Sequence, residues 1–425
     1  MRLGGRREAL ILFIGDLVFF VVALWLTLLV RYRGWPSEEL FFDHFGPFSF
    51  LFLVWAAVFL ILDLYRTQTL LFGNELPTRL LRAQIVNSLI ALIFFYVMPD
   101  WGELSLAPKT NLFLDLVFTF VLVLWWRRAL APRFYRPRPM TVRFDCEGAE
   151  VEELKSFIEA NPKYRLRLTA HNPQLIVFNR YDLSAPAHFL DSYRLLFKGV
   201  QFVSVQDLYE EFFGRVPLSL VNERWFLEQI SNRPMLVYDA FKRVIDVVVA
   251  LVLGGLSLIV YPVVILMIKA TDGGPIFFVE ERVGRFGRPI RITKFRTMST
   301  EVDLARRRVT RVGKWLRKTR LDELPQLGSV LRGDQSLIGP RPERLEYVEL
   351  YRERIPFYDA RHLIAPGLSG WAQIYHDNHP HFAVAEDATR EKLSYDLYYV
   401  KHRSPWLDVA IGLKTINTIV SRKGK

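Results

Sequence analysis

The chain has 425 residues, enough for two or three domains, and 51% of them are hydrophobic with a positive mean hydropathy. That is high for a soluble protein of this size and points to membrane segments. The formal net charge of +12 suits an anionic lipid surface or an anionic substrate. Nucleic acid is the weakest partner, since the basic residues flank apolar runs and no basic helix or aromatic RNA-reading motif occurs. Cys146 is the only cysteine, so there is no intramolecular disulfide framework and no Cys-based zinc site.

Four apolar stretches fill the first third, at Leu10–Val30, Phe48–Leu64, Leu80–Met98 and Leu112–Trp126. Each approaches the roughly 20 residues that a helix needs to cross a bilayer. Arg2, Arg6 and Arg7 precede the first stretch, and no small-residue cleavage site follows it, so no cleavable signal peptide is expected. Arg66, Arg79 and Arg82 lie between the second and third stretches, and Arg127, Arg128, Arg133, Arg136 and Arg138 follow the fourth. The other two loops set Arg31, Arg33 and Lys109 against Glu38, Glu39, Asp43, Asp100 and Glu103. This bias puts both ends of a four-helix bundle, residues 1–130, in the cytoplasm. Asp16 lies inside the first stretch, as a functional group or as a polar contact within the bundle.

Residues 140–225 change character. Thr141–Phe144, Tyr164–Thr169, Leu175–Phe178 and Val200–Val205 read as strands, with helical patterns at Val151–Ala160 and Gln206–Phe213. The alternation predicts a small α/β module with a mostly parallel sheet. It holds no G-x-G-x-x-G, so no dinucleotide site is expected, and a structural or regulatory module is the plain reading.

A fifth apolar run covers Val244–Ile268, with Lys242 and Arg243 before it and Pro262 inside it. It is long enough to cross a membrane, but a crossing would carry everything after it out of the cytoplasm. A proline there removes a helix hydrogen bond and kinks the chain.

The last third carries the polar signatures. Gly274-Pro275-Ile276-Phe277-Phe278 leads to Glu281-Arg282-Val283-Gly284 and Lys294-Phe295-Arg296-Thr297-Met298. A second block runs Arg317-Lys318-Thr319-Arg320-Leu321-Asp322-Glu323-Leu324-Pro325-Gln326-Leu327 and continues to Ser336-Leu337-Ile338-Gly339-Pro340-Arg341-Pro342. A third is Pro366-Gly367-Leu368-Ser369-Gly370-Trp371-Ala372-Gln373. Leu324, Leu327 and Leu331 share one helix face, and Pro325 is tolerated only in a first turn, so a helix is expected from near Asp322 to near Gly333. A carboxylate at that N-terminus, beside Arg317, Lys318 and Arg320, is expected to stay ionised as a nucleophile. The competing reading is a capping aspartate in an exposed salt-bridge network. Arg317, Arg320 and Arg341 can each hold phosphate oxygens or make surface ion pairs. The stiff turn that presents Arg341 suits anion positioning. Trp371 can anchor an interface or a core.

Together these residues resemble the bacterial sugar transferase family, the monotopic phosphoglycosyl transferases. The match covers Tyr238 to Lys425, and the whole chain looks like the family's large form, whose linker resembles Asp207–Leu227. The resemblance implies a four-helix transmembrane bundle and a degenerate, Rossmann-like α/β module. It also implies a mostly α catalytic domain at 236–425, rooted by a re-entrant helix at about 240–269 that breaks at Pro262. It implies transfer of a sugar-1-phosphate from a UDP-sugar to polyprenyl (undecaprenyl) phosphate, releasing UMP, at the start of exopolysaccharide, O-antigen or capsule synthesis. Asp322 is expected to form a phosphosugar intermediate and Glu323 to bind Mg²⁺. Arg317 and Arg341 are expected to hold phosphates, with Lys294, Arg296 and Gln373 lining the same region. The expected location is the bacterial inner membrane, multi-pass, against membrane lipids and with the catalytic domain facing the cytoplasm. A homodimer fits the large form.

The chain departs from the family at Glu280, where glutamine is usual, at Gly328-Ser329 and Gln335, and in Ile374-Tyr375-His376-Asp377-Asn378-His379 after Gln373. The last departure leaves the sugar, and the base, open. His376 and His379 read as a surface loop rather than a metal site. Helices at Leu345–Arg354 and Lys392–Val400 are expected on or near the membrane interface. Two rivals are a membrane-anchored nucleotide-sugar dehydratase, which lacks its glycine-rich loop here, and a non-enzymatic assembly scaffold, which the Asp322-Glu323 pair argues against.

Overall fold

Long apolar runs satisfy their backbone groups in an apolar solvent by becoming helices. In the computed structural model, which describes residues 3–62, 64–65, 76–97, 108–134, 139–182, 195, 197–230, 235–301, 308–375 and 386–420, the first third does so. The helices are α1 (Leu3–Tyr32), α2 (Glu38–Ile61), α3 (Leu76–Val97) and α4 (Pro108–Trp125). Ser37 caps α2 by accepting from the Leu40 amide at 3.2 Å, with Glu38 and Glu39 in the first turn. Alpha4 continues as a π-helical turn, Trp126–Leu130.

The bundle interior is aromatic and aliphatic, with Phe20, Leu24, Phe52, Trp55 and Phe59 buried. The outer faces are apolar too: Leu10, Ile14 and Val18 on α1 and Phe113, Val117 and Val121 on α4 are exposed at four-residue steps. Helices apolar on all sides need lipid as their solvent. Segments Ala9–Tyr32, Glu38–Ile61 and Leu76–Phe95 are long and apolar enough to cross a membrane; α4 has 18 residues.

Asp16 is a bundle contact. Arg127 donates from Nε to Asp16 Oδ1 at 3.1 Å and from its terminal nitrogen to Oδ2, and a further nitrogen reaches the Leu64 carbonyl at 2.8 Å. Both side chains are buried. Removing one partner leaves an uncompensated buried charge. Arg127→Met is therefore expected to cost about 3–5 kcal/mol, and adding Asp16→Leu to restore most of it, read as thermal midpoints in nanodiscs.

The module after the bundle has β1 (Met140–Phe144), α5 (Ala149–Ala160), β2 (Leu166–Leu168), β3 (Leu175–Phe178), β4 (Gln201–Ser204) and α6 (Val205–Phe213). All three pairings are parallel, in the order β2-β1-β3-β4. Val151, Leu154 and Ile158 of α5 are buried, one helical face apart by three and four residues.

The chain divides into two units, Met1–Glu211 and Phe212–Lys425. The segment after Phe212, expected with the module, packs in the second unit. There the Val216 amide donates to the Ser394 carbonyl at 3.0 Å, and Trp371 Nε1 donates to the Gly214 carbonyl at 2.7 Å. After α7 (Glu223–Gln229) comes α8 (Leu236–Asp272), 37 residues that run unbroken through Pro262. The expected break at Pro262 is thus a proline inside a continuous helix. Alpha8 meets its own unit along a long stretch. Asp246 accepts from the Leu337 amide at 3.1 Å, Ala250 packs on Leu327 and Val330, and Val264 and Ile268 pack on Phe295 and Leu316. Leu251, Val252, Leu256, Leu258, Ile259, Val263 and Leu266 remain exposed.

The rest of the unit comprises β5 (Phe277–Val283), β6 (Pro289–Phe295), α9 (Arg311–Thr319), α10 (Leu327–Arg332), β7 (Ser336–Ile338), α11 (Leu345–Arg354), β8 (Gly367–Ser369), α12 (Trp371–Tyr375), α13 (Glu386–His402) and α14 (Pro405–Val420). Alpha13 corrects an expectation: Leu393, Leu397, Tyr399 and Val400 are buried, as are Lys392 and Asp396, so Lys392–Val400 is a core helix rather than an interfacial one. Its two charges are accepted inside because other buried charges answer them.

Candidate active site

The hairpin β5–β6 supplies the first wall. Its antiparallel register sets Phe278 opposite Lys294 and Arg282 opposite Ile290, so alternate residues bring Arg282, Ile292 and Lys294 to one face. The second wall is the acid pair. Alpha9 ends at Arg320, a non-glycine residue held in the left-handed region at φ 58°, which turns the chain into Leu321–Gln326. That segment is a 3-10 helix, and α-helix begins only at Leu327, ending at Gly333 with φ 92°. Asp322 therefore lies in a 3-10 turn and not in the first turn of an α-helix.

The third wall is two turns locked backbone to backbone. Beta7 and β8 pair in parallel, the Gly339 amide donates to the Ser369 carbonyl at 2.8 Å, and the Gly367 amide donates to the Pro340 carbonyl at 2.9 Å. A Cβ at Gly339 would stand 2.5 Å from the Ala365 carbonyl oxygen, so only glycine permits this approach. The pairing fixes the turn that carries Arg341.

Arg282, Ile292, Lys294, Glu323, Gln326, Arg341, Pro342, Gly367 and Leu368 line a small pocket between these walls. Lys294 donates to Glu323 Oε1 at 2.8 Å, and Arg341 approaches the same oxygen at 3.6 Å. Burial alone would raise Glu323, but Lys294, Arg341 and Arg320 hold it down at about 2. Asp322 is 8% exposed and sits beside the pocket rather than in its lining. Burial first, then the neighbouring Glu323, push its carboxyl up to about 6, against the opposing pull of Lys294, Arg317 and Arg320. Desolvation outweighs the nearby cations, so the carboxyl gives up its proton only as pH passes about 6, and above that it is the ionised nucleophile that the sequence implies.

The other expected residues are placed as follows. Arg317 donates from Nε to Thr297 Oγ1 at 3.0 Å. Arg296 is bound to Asp272, at 2.6 Å for one nitrogen, and to the carbonyls of Pro275 and Met298, which ties the end of α8 to β6. Gln373 has a buried Oε1 without a hydrogen-bond partner among the described residues. His376 and His379 lie outside the described residues.

Two features were not legible in sequence. Arg282 stands in a quoted motif but received no role; it reaches the Pro342 carbonyl at 3.2 Å and is held by Glu280 at 2.6 Å. Beneath the pocket, Arg361 is ion-paired to Asp396 at 2.7 Å and donates to the Arg341 carbonyl at 2.9 Å, while Lys392 pairs with Glu343. Burial would raise Glu343, yet Lys392, Arg361 and Arg282 bring it down to about 2. These charges are scattered along the chain, so spacing gave no signal for them.

The bacterial sugar transferase profile matches residues 237–422, the stretch that holds all three walls. A UDP-N-acetylgalactosamine-undecaprenyl-phosphate N-acetylgalactosaminephosphotransferase of Aeromonas hydrophila is 41% identical over 228 residues, covering 52% of this chain and 52% of that protein. A UDP-glucose:undecaprenyl-phosphate glucose-1-phosphate transferase of Caulobacter vibrioides is 39% identical over 196 residues, covering 44% of this chain and 73% of that protein. The chain belongs to the bacterial sugar transferase family. An uncharacterized sugar transferase of Bacillus subtilis is 35% identical over 189 residues and is covered to 89% of its length. Of the Aeromonas family member, the chain spans about half the length.

The raised Asp322 carries a stability signature. Its carboxyl titrates near 6 when folded and near its ordinary 3.8 when unfolded. The folded state thus binds more protons in that window, and stability falls as pH rises through it. Asp322→Asn is expected to remove this decline and to be more stable than the parent at pH 7.5 by up to about 3 kcal/mol. Denaturant midpoints at pH 4.5 and 7.5 check it.

Proposed function

We propose that this protein transfers a sugar-1-phosphate from a UDP-sugar to a polyprenyl phosphate such as undecaprenyl phosphate, releasing UMP. The observation that carries the reading is a buried carboxylate titrating near 6 beside a pocket whose lining includes Arg282, Lys294 and Arg341. The Aeromonas and Caulobacter family members bear names for this type of transfer between a UDP-sugar and undecaprenyl phosphate.

In the first half-reaction an Asp322 oxygen attacks the sugar-bearing phosphorus. The bridging P–O bond to UMP breaks, and UMP leaves with its electron pair. In the second, a phosphate oxygen of the lipid attacks the same phosphorus and the acyl-phosphate bond breaks, returning the Asp322 carboxylate. A carboxylate made more basic by desolvation is a better nucleophile, and at neutral pH it is largely ionised. Lys294 and Arg341 are suited to hold the diphosphate, Arg341 by paired nitrogens, while Arg282, held by Glu280 and the Pro342 carbonyl, adds positive charge to the same lining. Glu323 would hold Mg²⁺ through Oε2, since Lys294 and Arg341 both meet Oε1. When bound it would neutralise phosphate charge.

The same reading takes α8 as a helix that stays helical through Pro262 but bends there, entering one leaflet and returning. Asp246, Ala250, Val264 and Ile268 all pack on one unit, which a bilayer crossing between them would divide. The active site then faces the cytoplasm at the inner membrane, and the product starts a surface polysaccharide.

The test is UMP release by full-length protein in nanodiscs with Mg²⁺, undecaprenyl phosphate and a panel of UDP-sugars. One donor is expected to support turnover, with kcat/KM falling about tenfold per unit below a pH near 6, and Asp322→Asn to lose about a thousandfold or more. No release from any donor by folded protein overturns the reading.

A further inference from the structure

Among the described residues, the helix bundle of the first unit holds its buried polar side chains in two places. At one, Asp16 is answered by Arg127. At the other, Asn111, Asp115 and Thr119 follow one another at four-residue steps along one face of α4, each no more than 3% exposed. Asn87 on α3 and Thr27 on α1, the two helices against which α4 packs, are fully buried.

The hydrogen bonds fix how these groups are oriented. His44 Nδ1 lies 2.8 Å from the Leu40 carbonyl, which can only accept, so Nδ1 carries the proton and Nε2 accepts. Asn111 must then donate its amide to Nε2, at 3.3 Å, and its Oδ1 points elsewhere. Gln84 donates to the Leu116 carbonyl at 3.1 Å, so its Oε1 accepts from Asn87 at 3.4 Å, and the Asn87 Oδ1 is likewise left over. Six buried oxygens result: both of Asp115, Oδ1 of Asn87 and of Asn111, and Oγ1 of Thr27 and of Thr119. None has a hydrogen-bond partner among the described residues.

Both oxygens of Asp115 lack a partner, which is costly in an apolar interior. The neighbouring hydroxyls and second amide hydrogens can donate to it, but none of them supplies a counter-charge. Arg127, the one buried arginine among the described residues of the bundle, is already committed to Asp16. One carboxylate among neutral oxygens balances a single positive charge. A divalent ion would leave net charge in the bundle. Hard oxygens select a hard cation.

We propose that the four-helix bundle binds one monovalent cation of the sodium or potassium class, anchored by Asp115, with amide and hydroxyl oxygens from the adjoining turns and from α1 and α3 as neutral ligands. This inference does not rest on the transferase reading, since Asp115 and Asp322 belong to different units.

The test is thermal unfolding of the full-length protein in nanodiscs, titrated with sodium or potassium chloride against choline chloride at constant ionic strength. A bound cation raises the midpoint with the logarithm of its concentration. The midpoint is expected to climb by several degrees in sodium or potassium, to stay flat in choline, and to lose this response in Asp115→Asn. Thr119→Val, which keeps the side-chain shape, is expected to move the titration to about three-fold higher concentration or more, and it decides the matter where Asp115→Asn does not fold. An equal response to choline, a response unaltered in both variants, or a midpoint that follows pH with no alkali-cation response overturns the proposal.

Discussion

Two adjacent carboxylates taken out of water cannot both remain charged unless something nearby is positive, and the second unit is organised around that constraint. Glu323 receives Lys294 from β6 and Arg341 from the glycine-locked turn, and it is held well below the usual carboxylate range. Asp322, one residue earlier, receives less compensation than its burial demands and titrates near 6. The asymmetry comes from placement, not from residue type. The hairpin, the 3-10 turn and the two paired strands each contribute one element of it, and moving any of them changes which acid is charged. The cluster of Arg361, Asp396, Glu343 and Lys392 repeats the same logic one layer down, where Arg361 also grips the backbone of Arg341.

The helices obey a different solvent. In α1 to α4 the outward faces are as apolar as the inward ones, so hydrophobic burial cannot by itself say which face turns in. Packing and the few polar contacts decide. The Asp16–Arg127 pair joins helices far apart in sequence and engages a backbone carbonyl as well. In α8, by contrast, the inward face is specified by Asp246 and by small or branched residues at Ala250, Val264 and Ile268, while the exposed face is nearly all leucine, isoleucine and valine.

Sequence reading reached those parts of the fold that local pattern dictates. The four apolar runs became helices, and the four strands of the module appeared within two residues of their expected limits, because period and length are local properties. Grouping of Lys294, Glu323 and Arg341 followed from motifs whose members lie in order. What escaped was set by context. Pro325 and Leu324 share a pattern compatible with a continuous helix, and only tertiary placement made the turn 3-10. The charge on Asp322 depended on desolvation, which no spacing reveals. Arg296 carried the same motif credentials as Lys294, yet Asp272 at the end of α8 claims its guanidinium. Lys392–Val400 has the pattern of an interfacial helix, yet its lysine and aspartate are both buried among opposite charges.

Asp16 and Asp115 show the limit most sharply. Both are single acids within apolar runs, and a hydropathy profile treats them alike. Arg127 follows α4 as the first of the basic residues that signal topology, and the fold turns it inward onto Asp16. Asp115, three turns earlier on the same helix, is beyond that arginine's reach, and its neighbours along the face are an amide and a hydroxyl. An acid with a guanidinium beside it is a structural tie. An acid beside only an amide and a hydroxyl has no counter-charge in its own chain, and that difference depends on which helix faces lie together, something visible only after folding.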